Sequence, residues 1–240
     1  MLIAEVGLNH LGDELLAMKY VEKLSSLGVD GITFQVPQET YFQNPKNKYL
    51  KLRMKCILDA LHYTKSFGIK FGVAIGNVGL IEEFENHEVD FYKVLSSGIS
   101  NNVLINELVN NTKKKIFFST GMSNFNEISD LLVKVKHIRK RIELVHTNLG
   151  GEVEMEWLSR INILKNKYSV PVGYGTHCKN KNAIFLSLAF KPDSLLFYVK
   201  FDEKKEYPDN DHAFTMSEVP ILLKNIGDLT KTIGSMGKYD

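Results

Sequence analysis

The feature that most constrains this chain is a pattern that repeats along its whole length. Eight times, a short apolar run gives way to a stretch with apolar residues at helical spacing. The runs begin at Ile3 and then cover 31–37, 70–75, 91–96, 115–120, 142–148, 170–176 and 194–201. Helical spacing follows over 13–26, 52–67, 80–86, 103–110, 124–137, 155–167, 179–190 and 217–232. The runs are continuously apolar rather than alternating, as strands are when both faces are covered. Eight such units in 240 residues predict a (β/α)8 barrel. An open doubly wound sheet is the competing arrangement that periodicity alone permits.

Local signals agree with this division. Asp13 stands where a side chain can cap the first helix, and Gly28 and Gly68 stand where helices end. The segment 38–51 is long, polar and without a period, and it reads as a loop. Composition does not shift along the chain, so one domain over 1–240 is expected. A net charge of +2 implies no general attraction to nucleic acid or membrane. The basic runs at 113–115 and 134–141 read as solvated helix ends. Cys56 and Cys178 are too few and too far apart for a disulfide framework, which fits a reducing, cytoplasmic setting. The N-terminus lacks a basic segment followed by a long apolar one, so no signal peptide is expected. No apolar run reaches the ~18 residues of a membrane span.

Polar residues collect where the runs end. Glu5, Asn9 and His10 go with the first, Gln35 with the second, Lys93 and Ser96 with the fourth. Ser119, Thr120 and Gly121 follow the fifth, His146 and Asn148 the sixth, Tyr174 and His177 the seventh, and Lys200 the eighth. Asp209, Asp211 and His212 lie on the loop beyond. In a barrel these positions share one mouth. Lysines inside apolar strands are costly unless they face an anion or a carboxylate. Two of them among hydroxyls and amides predict a pocket for a phosphorylated or carboxylated small molecule. Glu5, Asp211 and the histidines are candidates for proton transfer. The plainer alternatives are a structurally paired strand lysine and, for His146, a satisfied interior histidine.

The motifs resemble those of the sialic acid synthase family, N-acetylneuraminate synthase and its relatives. The segments that carry the resemblance are Glu5-Val6-Gly7-Leu8-Asn9-His10-Leu11-Gly12-Asp13, Phe34-Gln35, Tyr92-Lys93-Val94 with Ser96, Ser119-Thr120-Gly121-Met122, Pro171-Val172-Gly173-Tyr174 with His177, and Asp211-His212. The resemblance implies a (β/α)8 barrel that condenses phosphoenolpyruvate with an N-acetylhexosamine, a divalent manganese or magnesium ion activating the sugar aldehyde. It places Glu5 near the reacting centre and Gln35 on the sugar. Lys93, Ser96, Ser119 and Asn148 would hold the carboxylate and phosphate of phosphoenolpyruvate. His177 would be a metal ligand, and Asp211 would bind the open-chain sugar or orient water. Asn9, Tyr174 and His212 complete the expected substrate contacts. The antifreeze-like domain that usually follows the family's barrel is not expected here, and oligomers are possible.

The sequence also departs from the family's pattern. Thr33 stands in place of a lysine, Val73-Ala74-Ile75 in place of Ser-Thr-Pro, and Ser96-Ser97-Gly98 in place of Ser-Gly-Glu. Tyr198-Val199-Lys200-Phe201 replaces Glu-Lys-His-Phe, so the second metal histidine becomes Lys200. An ammonium donates, repels cations and has no lone pair unless deprotonated, so weak or absent metal binding is expected. Lys200 is then a candidate to polarise a carbonyl itself, or to form a Schiff base. The competing function is a diverged barrel with metal-free aldolase or lyase chemistry, or one that only binds a sugar or anion.

Overall fold

Strand β1, Leu2–Gly7, hydrogen-bonds on one side to β2, Gly31–Val36, and on the other to β8, Leu195–Lys200. That double pairing closes the sheet. Between them come β3 (Lys70–Ile75), β4 (Phe91–Val94), β5 (Lys115–Ser119), β6 (Ile142–His146) and β7 (Val172–Thr176). Each pairs in parallel with its neighbours in sequence. The chain is therefore an eight-stranded parallel barrel with helices outside, and the open-sheet alternative falls. A short ninth strand, β9 (Phe214–Thr215), adds to the C-terminal end of β8. The computed structural model describes residues 1–234, so positions 235–240 of the expected domain lie outside the described residues. No helix among the described residues is long and apolar enough to cross a membrane.

The helices are α1 (Glu14–Ser25), α2 (Glu39–Gln43), α3 (Met54–Ser66), α4 (Ile81–Asn86), α5 (Asn102–Asn111), α6 (Phe125–Lys134), α7 (Arg160–Tyr168), α8 (Ala183–Ser187) and α9 (Val219–Ile233). Caps follow the sequence. Asp13 accepts from the backbone of Leu16, and Asn124 and Glu127 form a reciprocal capping box on α6. Three elements differ from expectation. The loop at 38–51 contains α2 and a 3-10 turn at Lys48–Leu50. Helix α7 starts at Arg160 rather than at 155, because Trp157 has φ of 42°, which no right-handed helix can carry. Helix α8 begins only at Ala183, after the Asn180 side chain has taken the Asn182 amide into a turn.

Strand alternation sorts the core into two compartments. Outward residues such as Ile32, Phe34, Phe71, Tyr92, Phe118 and Phe197 pack under the helices. Inward, Ile3, Phe91, Phe117, Val145 and Leu196 form a separate fully apolar plug. Two residues further along the same five strands come Glu5, Lys93, Ser119, Thr147 and Tyr198. The next inward layer is thus polar, and it lies toward the carboxyl ends of the strands, where barrel ligands bind.

Candidate active site at the barrel mouth

That polar layer encloses a cavity of about 210 Å³ lined by Gln35, Lys93, Ser96, Ser119, Thr147, His177, Tyr198 and Asp209, with Leu95, Met122 and Leu149 at its edge. Larger hollows exist, including one of about 590 Å³ between Met1, Leu195 and α9. That one sits at the amino ends of the strands, away from every polar strand end.

The centre of the mouth is an ion pair. Lys93 Nζ donates to Glu5 Oε1, and each side chain is only 3% exposed. The second carboxylate oxygen, Glu5 Oε2, is buried without a partner among the described residues. The Tyr198 ring lies 5.7 Å from the Lys93 ammonium. Burial, then the charges of Glu5 and Asp209, hold the Tyr198 phenol well above its usual range, so it stays protonated. Its ring meets His177 at 5.1 Å and His212 at 5.0 Å, and the two imidazoles are 4.6 Å apart. Burial keeps His177 well below the ordinary imidazole range, with further depression from His212 and Lys93. His212 is lowered to about 4, again chiefly by burial. Both rings are therefore neutral at pH 7. Asp209 is raised to about 7 by burial and then by the Glu5 charge, against the opposing pull of Lys93. Its Oδ1 is 3.7 Å from His212 Nε2, too far for a hydrogen bond.

Local geometry explains how the loop beyond β8 reaches this centre. Gly7 takes φ of 55° at a register shift between β1 and β2. A Cβ there would come within 3.0 Å of the Tyr198 ring and 3.2 Å of Asp209 Oδ2, so glycine is needed for both backbone and space. Asn9 clamps the loop from the other side. Its Nδ2 donates to the Val199 carbonyl at 2.8 Å, and its Oδ1 accepts from the Asp209 amide at 3.1 Å. On the serine side, the Gly121 amide donates to Ser96 Oγ at 3.1 Å, and a Cβ at Gly121 would collide with Thr147.

A profile of the NeuB family matches residues 25–238. The chain belongs to the NeuB family. It is 28% identical over 243 residues to an uncharacterized protein of Methanocaldococcus jannaschii, covering 98% of this chain and 72% of that one. It is 24% identical over 259 residues to the N,N'-diacetyllegionaminic acid synthase of Campylobacter jejuni, covering 98% and 77%. Among solved structures, the N-acetylneuraminic acid (sialic acid) synthetase of Leptospira borgpetersenii superposes with a TM-score of 0.91 at 23% identity, covering 100% of this chain and 86% of that one. A truncated 3-deoxy-D-arabino-heptulosonate 7-phosphate synthase of Thermotoga maritima superposes with 0.76 at 14% identity, covering 98% and 87%. At these identities the structural likeness is one of fold.

Within this family barrel, the structure places the expected site residues in two groups. Glu5, Gln35, Lys93, Ser96, Ser119, His177 and His212 meet at or beside the cavity. Asn148, half-buried at the end of β6, accepts from the Gly150 amide at 3.0 Å. Four expected contacts are placed differently. Asn9 is spent on anchoring the loop. Tyr174 points out of the barrel, its hydroxyl bonded to Glu156, because the inward positions of β7 fall to Gly173 and Gly175. Lys200 donates to Glu203 Oε2 at 2.7 Å and to Asn210 O and Oδ1 at 3.1 and 3.2 Å, fixing the loop rather than lining the cavity. Asp211 is exposed, and Asp209, two residues earlier, turns inward instead. His146 bonds the Glu156 carbonyl at 2.9 Å in the outer layer. Sequence reading gives Tyr198 and Thr147 no place at the mouth, and puts Asp209 there without a role. Period-two alternation from Leu196 and Val145 would have found the first two.

The donors do not fit a divalent ion. Among the described residues, no group of three or more histidine, cysteine, aspartate or glutamate side chains is arranged to hold one. Lys200 brings an ammonium already committed to Glu203 and Asn210. Glu5, the hardest oxygen donor in the centre, is committed to Lys93.

Proposed function

We propose that this barrel condenses phosphoenolpyruvate with the open-chain aldehyde of an N-acetylated amino sugar, giving a nonulosonate and inorganic phosphate. The observation that carries the reading is the buried Lys93 cation facing a small cavity with Ser96 and Ser119. A buried ammonium that spends one bond on Glu5 keeps further N–H donors, and with the serine hydroxyls these suit a small, multiply charged anion. The synthases of Campylobacter jejuni and Legionella pneumophila among its relatives support the same class of product. In the reaction a carbon–carbon bond joins C3 of the enolpyruvate to the aldehyde carbon, water adds at C2, and phosphate departs as the keto group forms. Gln35 and His212 contact the sugar, and Asn148 and the serines hold the anion. Asp209, which keeps its proton to about pH 7, is placed to exchange it with the sugar hydroxyls or water.

The test is phosphate release from phosphoenolpyruvate with N-acetylmannosamine or a diacetamido hexose, with the keto-acid product identified by mass spectrometry. Release that depends on the sugar supports the reading. No sugar-dependent release with either substrate rejects it. A second reading, a sugar- or anion-binding barrel without turnover, is favoured by Thr33 and Gly98, which stand where the family pattern has a lysine and a glutamate. Saturable binding of phosphoenolpyruvate without product would select it.

A further inference from the structure

The poor fit of this mouth to a divalent ion begins with Lys200, which stands where the family pattern has a metal histidine and is committed to Glu203 and Asn210. The place beside His177 and His212 already contains a cation. Lys93 bonds Glu5, lies under the Tyr198 ring, and its charge reaches both imidazoles. Tyr198 packs against the same two rings. A dication added there would meet a fixed ammonium in a buried setting, where like-charge repulsion is weakly screened. It would also compete with that ammonium for the Glu5 carboxylate. Lys200 cannot leave to make room, since it holds the loop through Glu203 and Asn210.

We propose that this chain works without a divalent ion, because the Lys93 ammonium supplies, beside His177 and His212, the positive charge that an ion would bring. The chemical half of this proposal rests on the condensation reading; the metal half rests on the geometry alone. As the new carbon–carbon bond forms, the carbonyl π pair moves onto the aldehyde oxygen. Lys93 donates its hydrogen bond to that oxygen and passes it a proton, leaving a hydroxyl. The water that adds at C2 returns a proton to Lys93. Phosphate then leaves C2 with the remaining hydroxyl proton as the ketone forms. Glu5 keeps the amine in place throughout, and no charge accumulates.

The experiment begins with metal content, which needs no substrate. Protein from manganese-supplemented cells is dialysed and analysed by mass spectrometry, and Mn²⁺ titration is followed by electron paramagnetic resonance. The wild-type chain is expected to retain under about 0.1 equivalents and to show no saturable site below about 1 mM. Lys93→Ala removes the resident ammonium and frees Glu5 near Asp209, and is expected to raise Mn²⁺ affinity at least about tenfold over the wild-type level. Lys93→Arg is expected to match wild type. Lys93→Gln takes the place of Lys93→Ala if the latter does not fold. Stoichiometric or tight Mn²⁺ in the wild type overturns the proposal, as does a folded Lys93→Ala or Lys93→Gln variant with no gain. If the condensation is observed, its rate is expected to be unchanged by EDTA, and loss of rate that Mn²⁺ restores overturns it. If no condensation is observed, the function reading fails, while the metal titrations still decide the role of Lys93 as the resident charge.

Discussion

Removing one end of the Glu5–Lys93 pair is the sharpest perturbation this structure offers. Surface pairs such as Lys55–Asp59, 78% and 49% exposed, are screened by water and contribute about 0.3–0.5 kcal/mol. Glu5 and Lys93 are each 3% exposed, so Glu5→Gln leaves an ammonium buried without its counter-charge. Breaking such a pair from one side costs about 3–5 kcal/mol. For a chain of this size that corresponds to a melting temperature lower by about 6–20 °C. Replacing both ends, with Glu5→Gln and Lys93→Met together, removes the stranded charge and is expected to recover most of the loss. Calorimetry and urea unfolding of the wild type, both single variants and the double variant close the thermodynamic cycle. Single variants that each cost under about 1 kcal/mol would refute the reasoning. So would a double variant as unstable as the sum of the singles.

The other predictions concern the loop and the outer layer. Burial and the Glu5 charge raise Asp209 from 3.8 to about 7, so the folded chain keeps a proton that the unfolded chain has lost. The resulting penalty is absent below the unfolded value, grows as pH rises toward about 7 and is full above it; Asp209→Asn is therefore expected to gain stability over wild type at pH 8 but not at pH 4, as read by urea unfolding. Asn9→Ala removes one buried and one partly buried hydrogen bond, at an expected cost of about 1–3 kcal/mol, and should speed amide exchange across residues 203–213. Tyr174→Phe strips Glu156 of its hydroxyl donor and should destabilise by about 1–3 kcal/mol while leaving phosphoenolpyruvate affinity unchanged, since the ring faces away from the mouth. Calorimetry with ligand titration separates the two effects.

The barrel was legible because its strands are buried on both faces, and that burial forces short, mainly apolar runs in which Glu5, Lys93 and Glu143 stand out. Closure was less direct. The pairing of Leu2 with Leu195 and of Glu5 with Tyr198 joins residues at opposite ends of the chain, and only the count of units implied it. The structure hidden in the loop after β2 depends on a distant contact. A Cβ at Gly12 would lie 1.7 Å from the Tyr49 carbonyl, and no local pattern in 38–51 announces that approach. At the mouth, position along a strand is readable directly, whereas the face a side chain takes follows only once the alternation is anchored on the apolar plug. Tyr174 and Tyr198 both lie near the middle of their strands, yet one faces the helices and the other the cavity. Asp209 and Asp211 are equivalent in sequence, and the clamp from Asn9 decides which turns inward.

The two inward layers of the barrel also separate stability from chemistry. Ile3, Phe91, Phe117, Val145 and Leu196 fill the lower layer as hydrocarbon, the arrangement that burial favours. One step up, the same strands place a carboxylate, an ammonium, two hydroxyls and a phenol in equal burial. A buried ion pair is often no better for stability than apolar residues of similar volume, so core packing supplies no reason for that layer. Glu5 Oε2, without a partner among the described residues, and an Asp209 carboxyl raised to about 7 are the features of a surface prepared for a ligand. A polar ligand that supplied the missing donors would convert the unpaired groups into bonds and so gain affinity from the polar layer. The apolar plug beneath keeps the floor of the mouth rigid while that exchange takes place.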